Sequence, residues 1–449
     1  MSALRVAVVG AGPAGMYVAD ALVLPREGSA VPVQVDVYDR LPTPFGLLRY
    51  GVAPDHPKMK MLTRALQRTL DDPRVRFLGG VQVGTDVTVD ELRAGYHAVA
   101  YSFGASTDRR LGVPGEDLPG SRSATSFVTW YSGHPDAPAD DVDLSGVRTA
   151  VVVGVGNVAV DVARVLSRPV ADLRVTDVPE PVLDRLAASA VADVHVLGRR
   201  GPVQAKFTVK ELRELGELEG VDVVVDPADL VLSAADEAEL AEHPAVGRNL
   251  ELLREWSQRP LTGAPRRLHL HFWSRPAALE GDGRVERVLV ERTRLDGDGR
   301  LVAAGAPSPL PAELVLRSVG YRGTGLDGVP LDPATCTVPA RDGRVLRDGA
   351  VSPGEYVAGW IGRGPVGVLG TNRSDAEGVV EGLLADAPAL LARPLGPDPV
   401  ALLAQRGVTP VDAEGWGRID AGEVARGQAL GRARTKIATW DDLLATARS

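Results

Sequence analysis

Two arginines at the end of a strand carry the most chemical information in this chain. Val194-His195-Val196-Leu197 is a short apolar run of the kind buried in a parallel sheet, and it ends in Gly198-Arg199-Arg200-Gly201. In a dinucleotide fold this position reads the adenosine ribose. A carboxylate here would accept from a 2′-hydroxyl and repel a 2′-phosphate, whereas two guanidiniums bind that phosphate by charge-assisted hydrogen bonds. The competing reading is a solvated basic turn. What precedes the arginines argues against it. Ala150 to Val153 is apolar, turns through Gly154-Val155-Gly156-Asn157-Val158-Ala159, and continues in a helical pattern to Leu166. Gly154 permits the tight turn, Gly156 lets a pyrophosphate approach the backbone, and Ala159 keeps helix and strand close. The helix N-terminus offers unpaired N–H groups to phosphate. Together these residues predict an NADP(H) site.

A second turn of the same design opens the chain. Leu4 to Val9 reads as a strand, followed by Gly10-Ala11-Gly12-Pro13-Ala14-Gly15 and a helical stretch. The next strand, Val33 to Tyr38, ends in Asp39, a carboxylate suited to a free ribose hydroxyl. This site therefore takes a dinucleotide without a 2′-phosphate, FAD or NAD. Two different dinucleotides on one chain suggest a flavin and a nicotinamide exchanging a hydride.

The elements that must position these sites need more than one core, because 449 residues exceed a single domain. The expected fold is α/β with two Rossmann-like dinucleotide-binding domains. The second is inserted in the first: 1–104 with 325–449 as the FAD-binding domain, and 105–324 as the NADP-binding domain. Hydrophobic residues are 44% and charged residues 24%, as in a globular protein, and the net charge of −9 argues against general nucleic-acid binding. The single cysteine, Cys336, excludes a thiolate-held iron–sulfur cluster and a CxxC redox pair within the chain. No run approaches the roughly 18–20 apolar residues of a membrane span, and no signal-peptide pattern precedes the first strand. A cytoplasmic location and a monomer are the expectations.

Four runs resemble one family. PxPFGLxRxGVAPDHP over 42–57, GxGNVAxDVARxL over 154–166, GRRGPxQxxFTxKELREL over 198–215 and GWIxRGPxGVxGTN over 359–372 are similar to NADPH:ferredoxin/adrenodoxin reductases. The branch meant holds mitochondrial adrenodoxin reductase and its actinobacterial relatives. The resemblance spans nearly the whole chain and is poorest after about residue 380. It implies that the first dinucleotide is FAD and that electrons pass singly to a ferredoxin-type iron–sulfur protein, which in turn is expected to feed an acceptor such as a cytochrome P450. By resemblance, Leu47, Val83, Trp360, Gly367, Val368 and Leu369 contact the flavin, beside Gly10, Gly12, Ala14, Gly15 and Asp39. Asn157, Val158, Ala159, Arg199, Arg200 and Glu211 hold NADP, with Arg109 a further candidate. His56 and Glu211 are implied as the catalytic pair near the nicotinamide and flavin. Hydride transfer needs no side-chain acid, so their expected work is positioning and charge tuning. No metal is expected. For each of the two there is a plain structural alternative. His56 sits in a Pro-rich turn, and Glu211 stands three residues after Thr208, the spacing of a capping box.

Other readings are kept open as expectations. Residues 75–103 fit short strands, and strands at 268–273 and 286–292 with the turn Asp296-Gly297-Asp298-Gly299 suggest a meander. Leu314 to Gly320 reads as a strand. A helix starts near Asp375, and one or two helices close the chain. Arg254, Arg259, Arg266 and Arg267 form the richest basic cluster outside the NADP motif and are the expected docking face for an acidic ferredoxin. The alternative functions are the flavin subunit of a glutamate-synthase-like complex, whose N-terminal cysteine cluster is missing here, an NADP-sensing flavoprotein with low turnover, and a disulfide reductase, which one cysteine cannot support.

Overall fold

The computed structural model describes residues 3–24, 31–367 and 369–449. It divides into two compact units. The first holds residues up to 52, 56–107 and 321–449, and the second holds 53–55 and 108–320, so the chain leaves and re-enters the first unit at 107/108 and 320/321.

Each unit is built on a sheet whose strands alternate between two cores. In the first, Val75–Gly79, Val33–Asp39, Leu4–Val9, Ala98–Tyr101 and Ala350–Val357 run in that spatial order, all parallel, and Arg344–Arg347 and Ala340–Arg341 extend the edge antiparallel. Val6 and Val8 face one core together with Val35, Val37, Ala98 and Ala100, and helices Pro13–Val23 and Leu369–Leu391 cover that face. Ala7 and Val9 face the other, with Tyr38, Val99 and Tyr101. This period-2 alternation is the signature of a sheet covered on both sides.

The second unit repeats the scheme. Ser121–Ser123, Leu314–Arg317, Thr149–Val153, Asp193–Leu197, Arg266–His271 and Val221–Val225 form a parallel sheet in that order. Ala150 and Val152 face the larger core, while Val151, Val153 and Leu197 face a smaller one with Leu279, Val285 and Val288. A separate antiparallel group, Ser274–Glu280, Arg287–Leu295, Leu301–Ala303 and Ser308–Pro311, supplies that smaller core.

Several expectations change. Arg266–His271 is a central strand of the parallel sheet and not the first strand of the meander, which begins at Ser274. Within 75–103, residues Val89–Gly95 form a helix, started by a capping box between Thr88 and Glu91. The helix expected near Asp375 begins six residues earlier, at Leu369. Three helices, not one or two, close the chain: Pro399–Gln405, Ala413–Ala429 and Trp440–Arg448.

Candidate functional site

The first glycine-rich turn uses its glycines for different reasons. Gly10 has φ +107°, and a Cβ there would meet the Ser102 carbonyl oxygen at 2.7 Å. A Cβ at Gly15 would sit 1.9 Å from the Gly10 oxygen, so this glycine lets helix and strand touch. A Cβ at Gly12 would meet nothing within 4 Å. Gly12 also caps helix Pro13–Val23 without any side-chain bond. Space and orphan N–H groups thus coincide at Gly12, which fits a pyrophosphate. Ala14 is buried, and a Cβ on Gly359 would lie 2.5 Å from its own Cβ, so the loop after strand Ala350–Val357 is seated on the same helix. Asp39, the expected ribose acceptor, is engaged by the backbone of the turn. Its Oδ2 accepts from the Ala11 N–H at 2.8 Å and its Oδ1 from the Leu41 N–H at 2.9 Å. Burial raises its pKa above the ordinary carboxylate value. Each oxygen keeps a second lone pair, so clamping the turn does not use up the acceptor.

Around this turn lie the expected flavin contacts. Phe45 (φ +78°) and Gly46 (φ +44°) bend the chain back, the Phe45 N–H donating to the Ala11 oxygen at 2.8 Å. A Cβ on Gly46 would stand 3.0 Å from Gly12 Cα, and Leu47 then opens the short helix Leu47–Tyr50. Val83 is buried and bridges to Val87. The Trp360 ring lies 5.2 Å from that of Tyr321, and its Nε1 is a buried donor with no partner among the described residues. Gly367 has φ +91°. Val368 lies outside the described residues, and Leu369 is the first residue of helix Leu369–Leu391. Two residues the sequence reading did not single out lie on the same stretch. Arg363 donates to Asn372 Oδ1 at 2.6 Å, while its Nε and Nη1 are buried without partners among the described residues. Their signal was present in the run over 359–372. His56 is buried at the N-cap of helix Pro57–Lys60.

In the second unit, Gly154 (φ +132°) lies so close to Ser318 that a Cβ would be 2.1 Å from its carbonyl oxygen. Gly156 faces open space, and like Gly12 it caps its helix, Asn157–Ser167, with no side-chain bond. Val158 is the second residue of that helix, and Ala159 is fully buried. Asn157 Oδ1 accepts from the Thr208 N–H at 2.9 Å. That contact replaces half of the anticipated capping box: Thr208 Oγ1 accepts from the Glu211 N–H at 3.3 Å, but the Thr208 N–H goes to Asn157. The double-arginine turn is tied down by its backbone. Gly198 N–H donates to the His271 oxygen, Ser274 N–H to the Gly198 oxygen, Trp273 N–H to the Arg200 oxygen and Thr293 Oγ1 to the Arg199 oxygen. The side chains of Arg199 and Arg200 are exposed, and no carboxylate among the described residues pairs with either. Arg109 is exposed, with its N–H on the Gly320 oxygen at 2.9 Å.

Glu211, on helix Val209–Gly216, belongs to a buried charge cluster that sequence reasoning missed. Its centre is the fully buried Arg164. Arg164 Nε meets Asp55 at 2.6 Å and Nη2 meets Asp161 at 2.7 Å, while Nη1 lies 3.6 Å from Glu211 and 3.5 Å from Glu214. Arg168 adds a contact to Asp55 at 3.4 Å. Four carboxylates thus surround two guanidiniums, and the Lys210 ammonium adds a contact to Glu214 at 3.6 Å. Burial pushes the Asp161 carboxyl up to about 7; Arg164 opposes this and Glu211 reinforces it. The available sequence signal was an arginine among Val162, Ala163, Val165 and Leu166.

The four arginines of the anticipated docking cluster have different settings. Arg259 pairs with Glu255 at 2.7 Å, and Arg266 is half-buried with Nη1 on the Ser167 oxygen at 3.0 Å. Arg267, the next residue of the strand, faces the opposite way. Arg254 is exposed on helix Pro244–Gln258.

Comparison with known proteins supplies a family. Residues 4–232 match the pyridine nucleotide-disulphide oxidoreductase family. NADPH-ferredoxin reductase FprA of Mycobacterium leprae is 42% identical over 450 residues, covering 98% of this chain and 97% of the relative. The human mitochondrial NADPH:adrenodoxin oxidoreductase is 41% identical over 459 residues, covering 98% and 91%. A solved structure of Mycobacterium tuberculosis FprA in complex with NADPH superposes with a TM-score of 0.93 at 42% identity, over 100% of both chains.

Proposed function

This chain belongs to the pyridine nucleotide-disulphide oxidoreductase family, among its NADPH-ferredoxin and adrenodoxin reductases, and from that premise we propose that it is a ferredoxin–NADP(+) reductase using FAD and NADP(H). The observation that carries the reading is the pairing of two open helix N-termini, at Gly12 and Gly156, with exposed, carboxylate-free Arg199 and Arg200 beside the second. In this reading the first unit holds FAD and the second holds NADP(H).

FAD, when bound, supplies the conversion between the two-electron chemistry of NADPH and the one-electron chemistry of an iron–sulfur acceptor. The chain's residues do the rest. Gly10, Gly12, Ala14 and Gly15 give the FAD pyrophosphate its backbone donors, and Asp39 accepts from the ribose while clamping Ala11. Leu47, Val83, Trp360, Gly367, Val368 and Leu369 line the flavin, with Arg363 as an additional donor. Arg199 and Arg200 select the 2′-phosphate, Asn157, Val158 and Ala159 seat the pyrophosphate, and Arg109 assists. His56 and Glu211 position the reacting rings and tune their charge. Glu211 is suited to this because an acidic side chain near the nicotinamide favours its cationic, oxidised form over the neutral reduced form. The protein acts as a cytoplasmic monomer, and its acceptor is a small ferredoxin-type protein able to serve a cytochrome P450.

The test is a two-acceptor assay. NADPH-dependent reduction is followed with ferricyanide, which needs no docking, and then with a ferredoxin. Turnover with both is expected. Binding of both cofactors with negligible turnover on either acceptor would make the protein a sensor instead.

A further inference from the structure

We propose that His195, His269 and His271 form a binding site for one divalent transition-metal ion of imidazole preference, such as Zn2+. The three side chains come from neighbouring parallel strands, with His269 directly opposite His195 in the register. They lie on the sheet face opposite Val194, Val196, Leu268 and Leu270, which belong to the larger core. One ligand nitrogen from each ring lies within 4.8 Å of the others. His195 Nδ1 and His271 Nε2 are 2.9 Å apart. Ligands around a tetrahedral Zn2+ at 2.0–2.1 Å stand about 3.4 Å from one another. The pair therefore needs to open slightly and the third ring to close by a turn about its own side-chain bonds. The rings are nearly parallel, within 8° to 17°, with centroids 4.2 to 6.1 Å apart, so their in-plane lone pairs run in separate planes and the rings must also tilt toward one another to share an ion.

Two further features suit a metal. His269 Nε2 is 2.9 Å from Asp193 Oδ1, the carboxylate–imidazole arrangement that orients a ligating histidine and leaves its other nitrogen for the ion. The His269 and Asp193 side chains retain 17% and 30% exposure, so ion and water have a way in and a fourth position can hold water.

The measurement is calorimetric titration of the FAD-loaded full chain, without an affinity tag, with ZnCl2 at pH 7.5. Absorption of the Co2+-loaded protein in the visible reports the geometry. One ion per chain is expected, with intense four-coordinate Co2+ bands. His269→Gln should weaken binding at least tenfold and His195→Gln should abolish the bands, while His243→Gln, at a histidine outside the trio, should change neither. Unaltered far-ultraviolet circular dichroism and flavin absorption establish that the variants are folded. No binding below millimolar Zn2+, or binding equally strong in His195→Gln and His269→Gln, would overturn the site and leave the trio as a stack of neutral rings.

Discussion

Glu423 should be required for the first unit to keep its Phe45–Tyr50 loop in place. It is fully buried on helix Ala413–Ala429, some 370 residues from the Arg49 it serves. Its Oε2 accepts from Arg49 Nη1 at 2.9 Å, and its Oε1 accepts from Arg49 Nη2 and from the Ile437 N–H at 2.9 Å. Arg49 is itself only 4% exposed and lies over the Tyr50 and Trp416 rings. It sits in helix Leu47–Tyr50, directly after the Phe45–Gly46 bend that rests on Gly12, and Lys436 Nζ holds its carbonyl oxygen at 2.6 Å. In Glu423→Gln, either orientation of the amide aims an NH2 at existing donors. Removing one partner of a buried pair leaves the other charge unsolvated and costs about 3–5 kcal/mol. For a unit of this size, that corresponds to roughly 6–20 °C in the unfolding midpoint of the first unit. The assay is thermal release of FAD followed by flavin fluorescence. In parallel, Arg49→Leu combined with Glu423→Leu removes both charges at once and should recover most of the loss. A shift under 2 °C for Glu423→Gln, or a double variant as unstable as the sum of its singles, would refute this reasoning.

Three more outcomes follow from the geometry. Arg199→Ala with Arg200→Ala removes two charge-assisted contacts of about 1.5–3 kcal/mol each, so kcat/KM for NADPH should fall by about two to four orders of magnitude while NADH use stays nearly constant; equal losses would contradict the 2′-phosphate assignment. Gly12→Ala should fold normally yet bind FAD weakly, because its methyl enters only the open space proposed for the pyrophosphate, whereas Gly15→Ala should fail to assemble the turn; apo-protein circular dichroism and FAD titration separate the two. Asp161, lifted to about 7, holds a proton in the folded state that the unfolded chain loses near pH 4. Its contribution is therefore complete below pH 4 and disappears as pH rises through 7, with a slope of at most about 1.4 kcal/mol per pH unit. Asp161→Asn should flatten that part of a urea-denaturation pH profile, and an unchanged profile would count against it.

Where a residue type was forced by backbone geometry, the sequence could be read directly. Gly10 and Gly154 have positive φ, and Gly15 has no space for a Cβ, so both turns and the strands feeding them were legible. Local alternation was less reliable. The stretch around Val89–Gly95 looked like strand because apolar and polar residues alternate through it, but Thr88 and Glu91 start a helix. Arg266–His271 was grouped with the meander that follows it because periodicity does not say which sheet a strand joins. The buried ion clusters were illegible for a different reason. Arg49 with Glu423, and Arg164 with Asp55, pair across hundred-residue separations, and nothing local marks a charge as buried. Nor did anything local signal that Arg266, one of the four arginines of the anticipated docking face, gives its guanidinium to a carbonyl oxygen.

The most direct test of the account is an anaerobic rapid-mixing experiment on the FAD-loaded chain. Mixed with NADPH, the flavin absorption near 450 nm should bleach in a single fast phase, and with NADH the bleaching should be far slower. A second mix with oxidised ferredoxin should restore the absorption as two ferredoxins are reduced for each NADPH consumed. Bleaching at equal rates with both nucleotides, or a reduced flavin that ferredoxin cannot reoxidise, would contradict the central claim.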